Sequence, residues 1–360
     1  MIYVLNSGNL YGTERMALAT LSGLDDYDRR VVFAPPLPPS STAGSVLAAA
    51  RAAGYETVEF SRRREFVRGL LPWLLRYRHV HMIGTGVGQS FMSHALALSL
   101  GVRLRQLQVA HGGTEDWHAY GKKKPLNKIP VVLIAVSDFV RDKLVEHGVR
   151  QDRVKVIENF LIDDGGGAPT RPPFDPDLPE GRPLDRRKTR VTVVSRIDPI
   201  KRIDLLLDLV ARPGFEDFEF DIYGTGVDLD ALRERAAPHP QIRFHGFASD
   251  VPQRLAESDF LLHLCPDEPF GLVILEAFLA RVVVIVPDAG GAGSLVEDGV
   301  TGLRFRASDV DDLGRVLTGA RALGPAELQR LVDGGTASLQ RRFSPGRGIQ
   351  RYREALGLAA

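Results

Sequence analysis

The chain has 360 residues, 44% hydrophobic and 25% charged, the make-up of a soluble globular protein of about two domains. Lysine plus arginine number 46 and aspartate plus glutamate 45, and a net charge of +1 disfavours a general nucleic-acid binder. A single cysteine, Cys265, rules out a disulfide framework or a cysteine-ligated zinc site and fits a reducing compartment.

In chain order, short β-branched runs alternate with longer amphipathic stretches. Ile2–Leu5 reads as a strand, Glu14–Gly23 as a helix, Arg30–Ala34 as a strand and Ser45–Gly54 as an Ala-rich helix closed by glycine. Phe66–Tyr77, His79–Ile83, Gln89–Leu100, Leu104–Val109, Val131–Val136 and Asp138–Glu146 continue the alternation, and Val154–Ile157 is a last strand. Residues 163–188, beginning DDGGGAPTRPPFDPDLPEG, are dense in Gly, Pro and charge and read as a linker.

The pattern then restarts. Val191–Val194, Phe218–Tyr223, Ile242–His245, Phe260–Leu264 and Val282–Val286 have strand length. Helical stretches are Ile203–Ala211, Leu229–Ala237, Val251–Glu257, Gly271–Leu279, Asp309–Leu317 and Ala326–Gln340. Strands flanked by helices predict two parallel-sheet α/β domains, 1–162 and 189–342, with ligands at the carboxyl ends of strands facing a cleft. Residues 343–360 read as a terminal helix crossing back to the first domain.

Ile2–Leu5 is too short for a signal peptide and lacks a basic leader. The richest apolar stretch, Phe270–Val286, contains Glu276 and Arg281, so no membrane span is expected and the protein reads as cytoplasmic. Charge is unevenly spread: 21 basic against 14 acidic residues before Asp163, and 25 against 31 after it. The basic half, with Arg62–Arg64, Arg68, Arg76 and Arg78 around Phe66, Leu70 and Trp73, is open to two readings, a solvated helix face or a contact with anionic lipid.

EPFGLVILE, Glu268 to Glu276, is the most informative stretch. Proline and glycine before an apolar run mark a helix start whose amides, including those of Gly271 and Leu272, suit a phosphate. Glu268 then sits on the loop and Glu276 about 8 Å further along the helix. Two carboxylates bracketing a phosphate suit a nucleotide-sugar, although a surface glutamate pair gives the same pattern. After the strand Val191–Val194, Arg196 and Lys201 offer a bidentate fork and a compact charge to a diphosphate. Asn6–Glu14 is a glycine loop between strand and helix, without GxGxxG or P-loop spacing. His111, beside Gly112 and Gly113, follows the strand Leu104–Val109 and is placed to meet a substrate. Asp-x-Asp triplets at Asp175–Asp177 and Asp228–Asp230 do not terminate strands, so no metal is expected on them.

Together these segments resemble the retaining GT-B glycosyltransferases of family 4. VVSRIDPIKRIDLLL, IYGTGVDLDALRERA, EPFGLVILEAF and GGAGSLVEDGVTGLRF carry the likeness in the second half. YGTERMALATL, AVSDFVRDKLVEHGV and VKVIENFLID carry it in the first. Departures are Tyr11 where a glycine is common, LARVVVIVP without a Gly-x-Pro, and Gly293-Ser294 where a glutamate often stands.

The resemblance implies a GT-B architecture of two Rossmann-like, doubly wound domains facing across a cleft. It implies transfer of a sugar, with retention, from a nucleoside diphosphate sugar to a hydroxyl acceptor. UDP is favoured over GDP; no cofactor and no metal are expected. Arg196 and Lys201 are implied to hold the diphosphate, Glu268 the sugar hydroxyls and Glu276 the ribose. Gly12 and Thr13 are implied to cover the phosphates and His111 to face the sugar. Gly224, Gly246 and Phe247 line the implied base pocket, with Phe270, Gly271 and Leu272 as further donor contacts. A non-catalytic nucleotide-sugar binder and a sugar phosphorylase, often pyridoxal phosphate-dependent, are the alternatives.

Overall fold

The computed structural model describes residues 1–39, 41, 44–112, 119–161, 169–173 and 188–358. The chain divides into two compact units, Met1–Ile162 with Pro345–Ala360, and Asp163–Ser344.

The first unit is a seven-stranded parallel sheet of order β3-β2-β1-β4-β5-β6-β7. Its strands are β1 (Ile2–Val4), β2 (Val31–Ala34), β3 (Glu56–Glu59), β4 (His79–Gly84), β5 (Arg103–Ala110), β6 (Val131–Ala135) and β7 (Val154–Val156). Every residue of β1 and β2 is buried, as a sheet covered on both faces requires. The helices are α1 (Gly12–Gly23), α2 (Val46–Ala52), α3 (Arg63–Arg76), α4 (Val87–Ser99) and α5 (Asp138–Glu146). α2 and α5 start on serine caps: the hydroxyls of Ser45 and Ser137 accept from the amides of Ala48 and Val140.

α13 (Pro345–Leu356) closes this same unit. Gly23 and Gly348 admit it: a Cβ on Gly23 would lie 2.4 Å from Ile349, and one on Gly348 would lie 2.1 Å from the Phe160 ring. Its last turn is held by Arg105, whose Nε and Nη2 donate to the Ala355 carbonyl at 3.0 and 2.8 Å. Arg353 pairs with Asp26 at 2.6 Å on α13's other contact.

The second unit is a six-stranded parallel sheet of order β10-β9-β8-β11-β12-β13. It comprises β8 (Thr189–Val194), β9 (Phe218–Tyr223), β10 (Ile242–Gly246), β11 (Phe260–Leu262), β12 (Val283–Pro287) and β13 (Leu303–Phe305). α6 (Ile203–Val210), α7 (Leu229–Ala236), α8 (Val251–Ala256), α9 (Leu272–Leu279), α10 (Gly290–Leu295), α11 (Val310–Ala322) and α12 (Pro325–Arg342) cover it. Six of the eight residues of α6 are buried against Val191, Val193, Phe218 and Phe220, so this helix is core on nearly every side. Of the stretch 163–188, only 169–173 and 188 are described. There the Arg171 amide donates to the Ala280 carbonyl at 2.9 Å and its guanidinium pairs with buried Asp259.

Three elements carry no apolar signal and differ from the sequence expectation. β3 is a half-exposed edge strand reading ETVE. A 3-10 helix at Gly121–Lys128 is lysine-rich, and α10 reads GGAGSL. Several helices also begin earlier than their apolar periodicity, α1 by two residues and α3 by three, because each opens on polar residues. Among the described residues no helix is long and apolar enough to cross a membrane.

Candidate functional site

In the second unit the order of strands reverses between β8 and β11, which are neighbours in the sheet. The chain leaves β8 toward β9 and β10, and returns on the other side as β11 to β13. The loops after β8 and β11 therefore part, leaving a crevice at the carboxyl ends of the strands.

The β8 loop carries Arg196 and, at the end of a 3-10 turn (Pro199–Lys201), Lys201. Arg202 takes a left-handed conformation, φ 54°, to redirect the chain into α6. The β11 loop carries His263, Cys265 and Glu268. Lys201 Nζ lies 2.6 Å from Glu268 Oε2, with each side chain 14% exposed. His263 Nε2 lies 3.4 Å from the same oxygen. Burial opposes ionisation of Glu268, but the His263 imidazole and the Lys201 ammonium outweigh it and hold the carboxyl well below its usual range. Burial likewise works against the Lys201 ammonium, and Glu268 overcomes it, so this lysine titrates above its ordinary value. Arg196 keeps its guanidinium 58% exposed and pairs with Asp198 at 2.9 Å.

A glycine turn fixes this arginine loop. Beyond the ladder, Ser195 and Ile197 amides donate to the carbonyls of Tyr223 and Thr225, and the Gly224 amide to that of Gly246 at 2.7 Å. A Cβ on Gly224, at φ 141°, would lie 1.8 Å from the Ser195 carbonyl oxygen, and one on Gly226 2.2 Å from that of Ile197. Only hydrogen fits there. Gly246, at φ 78°, has open space around it, and Phe247 next to it is 51% exposed. Beneath them Tyr223 stacks on His245 at 4.6 Å, and His245 Nε2 meets Asp221 at 2.6 Å.

α9 starts on Gly271, whose φ of 93° turns the loop into the helix, and Leu272 is its first residue. The Phe270 ring is buried edge-on against Phe343, so its contribution to a donor site is confined to its backbone. Glu276, one turn into α9, is half-buried. The Glu268 main chain is pinned by α10: the Gly291 amide donates to the Glu268 carbonyl at 2.6 Å, and a Cβ on Gly291 would lie 2.0 Å from the Pro269 carbonyl oxygen. Asp228 precedes α7 without a side-chain cap hydrogen bond and Asp230 lies in its first turn, whereas Asp175–Asp177 lie outside the described residues.

The remaining candidates belong to the first unit. Gly12 and Thr13 are the first residues of α1, after a loop in which Gly8 packs on Pro36. Glu14, 5% exposed, accepts from the Tyr11 amide at 3.2 Å, and burial pushes its carboxyl up. Its geometry is that of a helix cap. His111 follows β5, and its Nε2 is buried without a hydrogen-bond partner among the described residues. Burial, helped by Lys123, lowers its imidazole to about 4, and burial lowers the Lys123 ammonium to about 8. Gly113 lies outside the described residues.

The structure thus gathers Lys201, Glu268, His263 and Cys265 around one point, with Arg196 and the start of α9 on the same loops. His263, Cys265 and Lys123 are additions that sequence reasoning did not single out as site residues. The signal for the first two was an H-x-C-x-x-E spacing running out of a strand.

Residues 175–321 match the family model for Glycosyl transferases group 1. The chain is 30% identical over 273 residues to a D-inositol 3-phosphate glycosyltransferase of Rhodococcus opacus, covering 70% of this chain and 57% of that protein. It is 24% identical over 177 residues to a phosphatidylinositol N-acetylglucosaminyltransferase GPI3 subunit of Saccharomyces cerevisiae, covering 47% and 38%. The chain therefore spans about half the length, or less, of these curated relatives. Among solved structures, Anabaena HepE in complex with UDP and glucose superposes with a TM-score of 0.79 at 20% identity, covering 99% of both chains. Sucrose-phosphate synthase of Thermosynechococcus elongatus superposes at 0.74 and 16% identity, again over 99% of both. Two parallel-sheet α/β units with the GT-B fold, the second containing the stretch 175–321 that matches Glycosyl transferases group 1, are what this chain comprises.

Proposed function

We propose that the protein is a glycosyltransferase that moves a sugar, with retention, from a nucleoside diphosphate sugar to a hydroxyl acceptor. The observation that carries the reading is the Lys201–Glu268 pair at the switch point of the second sheet, within the family-matched stretch. UDP-sugars are the favoured donors, and the UDP and glucose in the HepE structure support that choice.

In this reading the leaving diphosphate meets positive charge from Arg196, Lys201 and the first amides of α9, so no metal is called on to stabilise it. Glu268 plays two parts. It is the counterion that keeps Lys201 charged and in place before the donor arrives, and it orients sugar hydroxyls afterwards. Glu276 takes the ribose, and the exposed Phe247 with Gly246 and Gly224 the base. From the first unit, the resemblance adds Gly12, Thr13 and His111. No covalent glycosyl-enzyme is assigned: the leaving phosphate oxygen takes the acceptor proton on the same face of the sugar. A carboxylate nucleophile of the glycosidase kind would need to approach the opposite face.

The acceptor class is left open by these residues, although the exposed Leu75 among Arg68, Arg76 and Arg78 favours an acceptor held at an anionic membrane. Incubation with UDP-glucose, UDP-N-acetylglucosamine and UDP-galactose, followed by proton NMR, tests the reaction. Slow release of UDP with the α-anomer of the sugar appearing first supports retention. Release of the β-anomer first would refute it.

A further inference from the structure

We propose that His263, Cys265 and Glu268 form a site for one thiophilic divalent cation of the zinc class, whose binding displaces the Lys201 ammonium from Glu268. Each of the three offers one ligand atom, and all three atoms lie within 4.8 Å of one another. The His263 Nε2 to Glu268 Oε2 separation is 3.4 Å. Nitrogen and oxygen ligands about 2.0–2.1 Å from zinc stand about 3.3–3.4 Å apart in a tetrahedron, so two corners are already spaced for the ion.

A second observation points the same way. His263 is 4% exposed, and its buried Nε2 makes no well-aligned hydrogen bond among the described residues: Glu268 Oε2 stands 3.4 Å away, at the outer edge of hydrogen-bond range. Cys265, 1% exposed, adds a soft sulfur beside it. The cysteine count, which excludes a zinc site from the sequence alone, excludes only sites of several thiolates: a mixed imidazole, thiolate and carboxylate set needs one, and the fold supplies it.

In the present arrangement the Lys201 ammonium lies 2.6 Å from the Glu268 oxygen that the metal takes. Binding therefore releases the Cys265 proton to solvent, frees Lys201 from its carboxylate and leaves a fourth metal position open. A neutral imidazole, a thiolate and a carboxylate then balance the two positive charges of the ion. Hard cations such as magnesium gain little from sulfur and imidazole, so the site discriminates by softness. On the transferase reading, the exchange removes Glu268 from sugar recognition and makes the ion an inhibitor. The metal site itself stands independently of that reading.

Titration of the full chain with cobalt(II) is the test, since a thiolate-to-cobalt charge-transfer band reports the sulfur directly. With one cysteine in the sequence, any such band arises from Cys265. One equivalent bound, a band lost in Cys265→Ser, an affinity about tenfold or more weaker in His263→Gln, and a tighter affinity in Lys201→Met are expected. Absence of the band at saturating cobalt overturns the site. So does an affinity unchanged in His263→Gln while the melting point of that variant shows it folded.

Discussion

Lys201 and Glu268 are 67 residues apart in sequence, yet the ammonium of one lies 2.6 Å from the carboxylate of the other. Each arrives on a separate loop, one after β8 and one after β11, and the sheet order makes those two strands neighbours. Removing one partner leaves the other charge partly buried. Glu268→Gln is expected to destabilise the second unit by about 2–3 kcal/mol, less than a fully enclosed pair because both side chains retain some exposure. Urea denaturation of Glu268→Gln, Lys201→Met and the double variant checks this. A coupling energy near zero would show that the two charges are stabilised by other groups.

Acid should act on the same pair in a defined direction. Glu268 titrates below its ordinary value of 4.5 in the folded chain, so its contribution is complete above about pH 4.5 and is lost as pH falls toward the folded value. Lys201 titrates above its ordinary 10.5, so its contribution is complete below that and is lost as pH rises through the folded value. Between those limits the pair contributes a flat term. Melting points from pH 3 to pH 11, compared with those of the double variant, should differ by a constant amount across the middle and start to narrow below about pH 4.5 and above about pH 10.5. A difference that changes near neutrality would contradict the assignment.

His111 makes a separate prediction, in the first unit. Its folded value of about 4 lies below the ordinary 6.5, so the unfolded chain binds the extra proton between those limits. Stability should fall as pH drops from about 6.5 to about 4, and His111→Gln should remove that slope. An unchanged slope would show that His111 is not the group that titrates in this range.

Glycine positions separate close packing from mere conformational freedom. Gly224→Ala forces a methyl into the Ser195 carbonyl oxygen at 1.8 Å, and a loss of about 3 kcal/mol with a displaced Arg196 loop is expected. Gly246→Ala meets open space, so the positive φ alone costs about 1 kcal/mol. Equal melting-point losses in the two variants would remove the argument that the glycine turn shapes the site.

The alternation of strands and helices was legible in the sequence because buried parallel strands are continuous β-branched runs, as in Val131–Ala135 and Val283–Pro287. β3 was not, since an edge strand with Glu56 and Glu59 has no apolar run to read. α10 was hidden for a different reason: its glycines are required by the carbonyls of Pro266 and Pro269, a contact made by the tertiary fold. At the site, Arg196, Lys201, Glu268 and Glu276 were legible through motif spacing. The pairing of Lys201 with Glu268 was not, because no local pattern records which loops a sheet brings together. His263 looked like strand interior within Phe260–Leu264 and Cys265 like a lone cysteine just past it, and neither pattern distinguishes a ligand from core.

The most direct measurement is a melting-point panel of the wild type, Arg196→Ala and Lys201→Ala with UDP, GDP, ADP, dTDP and CDP, each with and without EDTA. A nucleotide at 100 times its Kd stabilises by about 2.7 kcal/mol, which shifts melting by a few degrees. One nucleotide, UDP by this account, should raise the wild-type melting point with or without EDTA, and the shift should shrink or vanish in both variants. No shift with any nucleotide, or an equal shift in wild type and both variants, would contradict the assignment of the β8 and β11 loops as a diphosphate site.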